Sequence, residues 1–142
     1  MPSQQRQTVD ALVEAFNRLD TDAIIAFRTP TCVRHFLPSS LKLPSQSNEA
    51  YLANLNSMKT LFTSFAITVN DTIEDLEKKK IVVFVSAKGD TPVGEYNNEY
   101  VWNIGFDESG EKISEWTEYV DAGMARDFYP KLMGEMKRRA EA

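Results

Sequence analysis

The chain has 142 residues, of which 42% are hydrophobic and 26% charged, and this composition predicts one globular domain spanning residues 1–142. A net charge of -5 excludes a broad basic surface, so nucleic acid is not expected as a partner. One cysteine and one histidine exclude an internal disulfide and leave too few ligands for a zinc site.

The first half of the chain is predicted to be mainly helical. Residues 5–19 form the first helix, because their apolar side chains recur at helical spacing. Thr21 and Asp22 can cap a second helix that fills residues 23–27 and ends at the Thr29-Pro30 step. Ser47 or Asn48 caps a third helix.

Residues 29–47 contain three prolines and several apolar side chains. A solvated linker would not need those apolar side chains. We therefore expect an ordered loop folded over the mouth of a cavity, because long loops in compact domains are usually functional. A loop that only packs on the core is the alternative.

The second half predicts four strands and a closing helix. The strands cover residues 65–69, 81–85, 95–106 and 112–121, and the turns cover residues 71–80, 89–94 and 107–111. The helix runs over residues 122–140, with a kink or a restart at Pro130. This order predicts an α+β fold in which a curved antiparallel sheet wraps around helices and leaves a conical cavity for a small molecule.

The register of the last hairpin decides which side chains enter that cavity. If residues 107–111 form the loop, Trp102 pairs with Trp116 and Tyr100 pairs with Glu118. The inward face then has a large aromatic content and consists of Tyr96, Asn98, Tyr100, Trp102, Ile104, Trp116, Glu118 and Val120. A shift of one residue would turn Glu115, Thr117, Tyr119 and Asp121 inward instead.

Glu118 is the predicted acid/base catalyst. Burial among aromatic rings disfavours the charged form of its carboxyl group and suits it to proton transfer. Tyr96 and Tyr100 share its face and are predicted to be catalytic hydrogen-bond donors. A purely structural glutamate, bonded to a tyrosine or an arginine, is the alternative.

An arginine is expected to bind either a ligand carbonyl or Glu118. Arg28 and Arg34 are the candidates, and we favour Arg28 as the catalytic one because it lies at the boundary of an apolar helix. His35 can titrate near neutral pH, although a single histidine in a proline-rich loop is usually a surface or packing residue. The predicted substrate-binding set comprises Asn98, Trp102, Trp116, Arg34, His35 and Leu41.

Four segments of the chain carry a family resemblance. They are RTPTC at residues 28–32, LPSSL at 37–41, GEYNNEYV at 94–101 and ISEWTEYVD at 113–121. Together they resemble the SnoaL-like branch of the NTF2-like superfamily. Within that branch the match, which spans nearly the whole chain, is to the small fungal isomerases and cyclases of meroterpenoid biosynthesis, of the terretonin- and austinol-pathway type.

The resemblance implies a cone-shaped α+β fold and a cofactor-free enzyme that acts on a polycyclic metabolite, usually as a homodimer through the outer sheet face. A related fungal enzyme, the brevianamide semipinacolase, is thought to use an arginine, two tyrosines and a glutamate. These residues correspond to Arg28, Tyr96, Tyr100 and Glu118 here. The chain lacks the histidine-rich pocket of the scytalone dehydratase branch and the paired aspartates of the epoxide hydrolase branch.

We therefore expect a cofactor-independent isomerase or cyclase that uses general acid/base catalysis in a rearrangement or lactone formation. Three alternatives stay open: a non-catalytic binding module, a semipinacol-type rearrangement of an indole alkaloid, and a scaffold without a ligand. No stretch is apolar enough for a membrane span, and the N-terminus lacks the apolar core of a signal peptide. A cytoplasmic protein without membrane contact is expected.

Overall fold

A computed structural model describes residues 1–142. The elements in chain order are α1 (Gln4–Asn17), α2 (Thr21–Ala26), β1 (Arg34–Leu37), a 3-10 turn (Ser39–Leu41), α3 (Asn48–Lys59), β2 (Ser64–Asp75), β3 (Lys80–Thr91), β4 (Gly94–Phe106), β5 (Ile113–Val120), α4 (Ala122–Asp127) and α5 (Tyr129–Glu141). No helix is long and apolar enough to cross a membrane.

Side-chain caps begin the three N-terminal helices. Ser3 accepts a hydrogen bond from the backbone N–H of Arg6 at the start of α1, and Ser47 accepts one from Ala50 at the start of α3. The prediction that Ser47 or Asn48 caps the third helix is confirmed. The prediction for the second helix is wrong by one residue, because Asp20 is the cap of α2 and accepts from the N–H of Ala23.

The five strands form one sheet in the order β1-β5-β4-β3-β2. All neighbours are antiparallel except β1, which pairs in parallel with β5. The prediction of four strands is therefore one short. The missing strand, β1, lies inside the loop predicted over residues 29–47, and its backbone is paired with β5 on one side and bridged to Gln46 on the other.

Two of the predicted turns are too long. The predicted turn at residues 71–80 shrinks to 76–79, because β2 continues to Asp75 and pairs along the whole of β3 after a bulge between Val69 and Asp71. The predicted turn at 89–94 shrinks to 92–93 in the same way. Backbone pairing therefore extends through polar segments that sequence alternation alone assigns to turns.

The predicted register of the last hairpin is wrong by two residues. Trp102 pairs with Glu118 rather than with Trp116, and Tyr100 pairs with Val120 rather than with Glu118. The loop accounts for one residue of this offset. Phe106 pairs with Ile113, so the loop has six residues instead of the five that were predicted. The other comes from a bulge, since Gly105 pairs with Glu115 and leaves Ser114 as the extra residue. An even offset keeps the predicted inward face.

The hydrophobic core lies between the concave sheet face and the helices. Val9 and Leu12 of α1 pack there with Trp102, Ile104 and the other buried side chains of the inner strand faces. The closing helix restarts as predicted: α4 ends at Asp127, and α5 begins at Tyr129 with Pro130 in its first turn. This restart carries α5 across the open end of the sheet and places Leu132 in the core.

Candidate active site

One apolar cavity of about 280 Å³ opens between the sheet and the helices. Hydrophobic residues account for 18 of the 25 that line it, and they include Phe16 and Met58 from the helical side. The loop after β1 contributes Leu43 and Pro44, in agreement with the expectation that the 29–47 loop covers the mouth of a cavity. The polar lining residues concentrate in two groups, an ion pair and a cluster of phenols.

Arg34 and Glu118 form the ion pair. The guanidinium Nη2 lies 2.9 Å from Oε2 and 3.1 Å from Oε1 of the carboxylate, and Nε lies 3.2 Å from Oε1. The two side chains are 13% and 2% exposed. Parallel pairing of β1 with β5 brings them together, because Arg34 lies opposite Trp116, two residues before Glu118. A buried bidentate pair of this kind fixes both side chains.

Aromatic rings and an amide complete the surroundings of Arg34. Its guanidinium carbon lies 4.2 Å from the ring centre of Tyr51 and 4.5 Å from that of Phe36. Nη1 donates a hydrogen bond of 3.0 Å to Gln46 Oε1. Burial alone would lower the pKa of Arg34, but the adjacent Glu118 carboxylate raises it above its ordinary value. Arg34 is therefore a permanent cation.

The two oxygens of Glu118 are unequally occupied. Oε1 accepts from Arg34 and also from the indole N–H of Trp116 at 3.1 Å, whereas Oε2 accepts from Arg34 alone. Oε2 is the oxygen with free lone pairs and can accept a proton from a bound molecule.

Three phenols form the second polar group. The hydroxyls of Tyr96 and Tyr100 are hydrogen-bonded to each other. The amide nitrogen of Asn98 lies 2.9 Å from the Tyr96 hydroxyl, 3.1 Å from that of Tyr100 and 2.7 Å from that of Tyr129. Strand alternation in β4 puts Tyr96, Asn98 and Tyr100 on one face, and the restart of the last helix adds Tyr129.

Burial keeps the phenols neutral. It raises the pKa of Tyr96, Tyr100 and Tyr129, and the neighbouring phenols and the Glu118 carboxylate raise the pKa of Tyr100 further. Burial also raises the pKa of Tyr51 beside Arg34. Neutral phenols are hydrogen-bond donors, so this end of the cavity suits an oxygen that gains negative charge.

Arg28 does not occupy the place predicted for it. It is buried at 6% exposure but does not line the cavity. Its Nε donates to Asn48 Oδ1 at 2.8 Å, its guanidinium lies over the rings of Tyr51 and Trp116, and its Nη2 has no hydrogen-bond partner. The backbone bridge between Arg28 and Ile113 holds it there. Arg34 lies beside Glu118 instead.

The other predicted site residues divide into two groups. Trp102 lines the cavity, whereas Trp116 and Asn98 lie behind the lining and hold Glu118 and the phenols. His35 and Leu41 lie elsewhere: neither lines the cavity, and the exposed His35 ring contacts Ser45 Oγ. Side-chain alternation along β1 explains why His35 does not line the cavity, because its neighbours Arg34 and Phe36 take the inward face.

Sequence reasoning missed several polar residues of the cavity lining, among them Tyr51, Tyr129 and Gln46. Tyr51 lies in the predicted third helix, where only its hydroxyl distinguishes it from a core residue. Tyr129 precedes Pro130 at the helix restart, and no local sequence pattern indicates that it lines the cavity. No group of three or more His, Cys, Asp or Glu side chains is arranged to bind a metal ion.

No family model matches the chain, but three relatives align along most of it. Core atranone cluster protein 11 of Stachybotrys chlorohalonatus is 30% identical over 94% of this chain and 99% of its own length. Austinoid biosynthesis clusters protein H of Penicillium brasilianum is 31% identical over 84% of this chain and 83% of its own. Monooxygenase AacuP of Aspergillus aculeatus is 27% identical over 97% and 95%.

Solved structures share the fold. AusH from Aspergillus nidulans superposes with a TM-score of 0.78 at 27% identity, over 86% of this chain and 88% of its own. BvnE pinacolase from Penicillium brevicompactum gives a TM-score of 0.82 at 21% identity, over 96% and 92%. An NTF2-like protein of unknown function from Burkholderia pseudomallei gives 0.71 at 21%, over 88% and 97%. The predicted NTF2-like α+β fold is confirmed.

Proposed function

The chain belongs to the SnoaL-like family of fungal biosynthetic-cluster proteins that includes core atranone cluster protein 11 and austinoid protein H, and on this premise we propose a cofactor-free isomerase or cyclase of secondary metabolism. Its substrate is a polycyclic molecule of the meroterpenoid type. Its reaction is an acid/base-catalysed rearrangement or lactone formation.

One observation carries the proposal: a buried carboxylate and a set of neutral phenols line the same apolar cavity. Glu118 Oε2 accepts a proton from a carbon next to a substrate carbonyl. As that C–H bond breaks, its electron pair moves onto the carbonyl oxygen, which the phenols stabilise by donating hydrogen bonds. Return of the proton to another carbon of the enolate system gives the isomer. In lactone formation Glu118 instead takes the proton of a substrate hydroxyl, whose oxygen attacks a ketone carbonyl carbon. The C–C bond at that carbon then breaks, and the departing carbon receives the proton, so the mass is unchanged.

Arg34 takes the role that the sequence assigned to Arg28. Its bidentate contact fixes the position of the Glu118 carboxylate beside the cavity. Trp116 donates to Oε1 and directs Oε2 towards the substrate.

The charge of the lining supports a neutral substrate. The charge of Arg34 is paired with Glu118, so the ion pair has no net charge to bind a carboxylate or phosphate. The remaining cation of the lining, Lys59, lies on the exposed end of α3. Large apolar walls with a few polar groups are typical of sites for multi-ring metabolites.

A homodimer through the outer sheet face is part of the proposal. Phe84, Val101 and Tyr119 are direct cross-strand neighbours there, and Phe84 and Tyr119 are 36% and 52% exposed. An apolar row across three strands suits contact with a second copy. Sedimentation should give twice the chain mass for the natural protein and a smaller mass for Phe84→Glu. A monomeric natural protein would remove the dimer from the proposal.

The enzyme is tested with the metabolite that accumulates when its gene is deleted in the producing organism. Purified protein should convert this metabolite into a product of unchanged mass, and in D₂O the product should gain deuterium. Glu118→Gln preserves shape but removes the base, so we expect turnover to fall about 10²- to 10⁴-fold. Full turnover by a folded Glu118→Gln variant, compared by circular dichroism, would refute the acid/base mechanism.

The same assay separates the alternatives. A relative named monooxygenase favours oxygen insertion as a second candidate, and that reaction adds one oxygen atom to the mass and stops without O₂. A non-catalytic binding module retains its effect on products in Glu118→Gln but loses it in Trp102→Ala. A substrate that is an indole alkaloid would indicate a semipinacol-type rearrangement in place of meroterpenoid chemistry.

A further inference from the structure

The phenol cluster contains more donors than its own hydrogen bonds use. The Tyr96–Tyr100 contact takes one phenol proton, and a hydrogen bond between Tyr129 and Tyr96 takes a second. Asn98 contributes only donors to the cluster, because its Oδ1 accepts the backbone N–H of Glu99 at 2.9 Å and its amide nitrogen therefore faces the phenols. One phenol proton is left over, and a ligand can take the Tyr129 proton as well, because Asn98 then donates to the Tyr96 oxygen in its place.

One arrangement of the protons leaves two hydroxyls for a ligand. Tyr96 is 2% exposed, whereas Tyr100 is half-buried, and both line the cavity together with Tyr129. When Tyr96 donates to Tyr100, and Asn98 donates to Tyr96 and Tyr129, each of the three oxygens accepts one hydrogen bond. The protons of Tyr100 and Tyr129 can then both go to an oxygen of the ligand.

We infer that Tyr129 is a catalytic residue that, together with Tyr100, donates a hydrogen bond to one substrate oxygen and so forms a two-phenol oxyanion site. Tyr96 and Asn98 are positioning residues that hold the two donors. This inference rests on the proposed function, since the oxygen concerned is the one that gains charge when Glu118 removes a proton. It adds a residue from α5, an element for which the sequence predicted no site residue.

The chemistry favours two donors over one. Both donors are neutral phenols, since burial raises the pKa of Tyr100 and of Tyr129. An oxygen anion accepts strong hydrogen bonds from O–H groups, and in a water-poor cavity each bond is stronger than in solution. Their common contact with Asn98 holds the two hydroxyl oxygens close enough to share one acceptor.

The test uses 4-nitrophenol as an analogue of the enolate, because its phenolate form absorbs visible light and reports ionisation directly. The natural protein should bind the phenolate and make the bound probe ionise at a lower pH than free probe. Tyr129→Phe removes one charge-assisted hydrogen bond and should weaken phenolate binding about tenfold or more. Tyr119→Phe, which alters an exposed phenol on the outer face, is the matched control and should bind like the natural protein.

Tyr100→Phe provides a second, independent variant should Tyr129→Phe fold poorly, as judged by thermal melting. Two donors to one oxygen predict that each single variant weakens binding and that the double variant is weaker still. Unchanged phenolate affinity in a folded Tyr129→Phe variant overturns the inference. Failure of the natural protein to bind the phenolate overturns it as well.

Glu118→Gln separates this inference from the proposed function. That variant removes a negative charge near the probe and should bind the phenolate at least as tightly as the natural protein, while its turnover falls. Retained turnover in Glu118→Gln, together with weak phenolate binding in Tyr129→Phe, would refute the acid/base proposal but preserve the oxyanion site. Lost turnover in Glu118→Gln with unchanged phenolate binding in Tyr129→Phe would do the reverse.

Discussion

The two polar ends of the cavity satisfy their hydrogen bonds in opposite ways. At the ion-pair end, Arg34 and Glu118 neutralise each other, and each makes a further hydrogen bond, Arg34 to Gln46 and Glu118 from Trp116. At the phenol end, Tyr100 and Tyr129 are uncharged and line the cavity with hydroxyl groups that can donate to a ligand. The charges of the first end are paired within the protein, whereas the second end is open to a ligand.

This difference suggests a division of labour. The hydrogen bonds of the ion pair hold the carboxylate in place. We therefore expect loss of the pair mainly to lower the free energy of unfolding. The phenol cluster is held by a single neutral amide, so its loss should damage chemistry more than stability. The predictions below test that division, from the largest expected effect to the smallest.

The ion-pair end should respond strongly to loss of its cation. Arg34→Met leaves Glu118 as an unpaired buried charge, which costs about 3–5 kcal/mol of unfolding free energy. Arg28→Met is the control, because Arg28 is also buried but its Nη2 has no partner, and we expect a change within about 1 kcal/mol. Urea denaturation measures both values. Equal losses would show that burial, rather than the pairing with Glu118, decides the cost.

The phenol end should respond more weakly. Asn98→Leu removes the amide that three hydroxyls share and should cost about 1–2 kcal/mol, because neutral hydrogen bonds contribute less than charged ones. Asn97→Leu, on the exposed face of the same strand, should change stability by no more than about 0.5 kcal/mol. A loss in Asn98→Leu as large as that in Arg34→Met would contradict the division of labour.

Alkaline pH should separate the two ends without a mutation. Burial raises the pKa of Tyr51, Tyr96, Tyr100 and Tyr129, so the folded protein binds more protons than the unfolded chain above the ordinary tyrosine pKa. The stability due to the neutral phenols is therefore complete below about pH 10 and decreases above it. The Arg34 cation persists there.

The measurement is phenolate absorbance against pH, recorded beside circular dichroism. Tyr119→Phe protein is the sample of choice, because its four remaining tyrosines are those whose pKa is raised. Absorbance should rise only as the fold is lost. Ionisation of the phenols in a protein that stays folded would show that the cluster is accessible to water.

Much of the fold could be predicted from the sequence, because strand alternation and helix periodicity are local properties. The fold class and the family resemblance are confirmed, and Tyr96, Tyr100, Trp102 and Glu118 line the predicted cavity. The predicted inward face is correct although the register is wrong, because an offset of two residues leaves every side chain on the same face of the sheet. Local patterns therefore determined which side chains face inward but not which of them lie opposite each other.

The choice of arginine could not be made from the sequence. Arg34 meets Glu118 only because a four-residue strand pairs in parallel with β5, and such a long-range contact leaves no periodic signal in so short a segment. The sequence favours Arg28, but a different bridge fixes this residue beside Asn48. The position of Tyr129 in the cavity lining could not be predicted for the same reason, because it depends on how α5 packs against the rest of the fold.

The bulge at Ser114 also affects how the hairpin tolerates changes in length. Ile113 and Trp116 are three residues apart and would face opposite sides of a regular strand, yet both are buried. The extra residue resets the alternation just before the stretch that contains Glu118. The bulge therefore lets one short strand fill the core with Ile113 and still turn the carboxylate into the cavity, and deletion of Ser114 would send either Ile113 or Glu118 to the outer face.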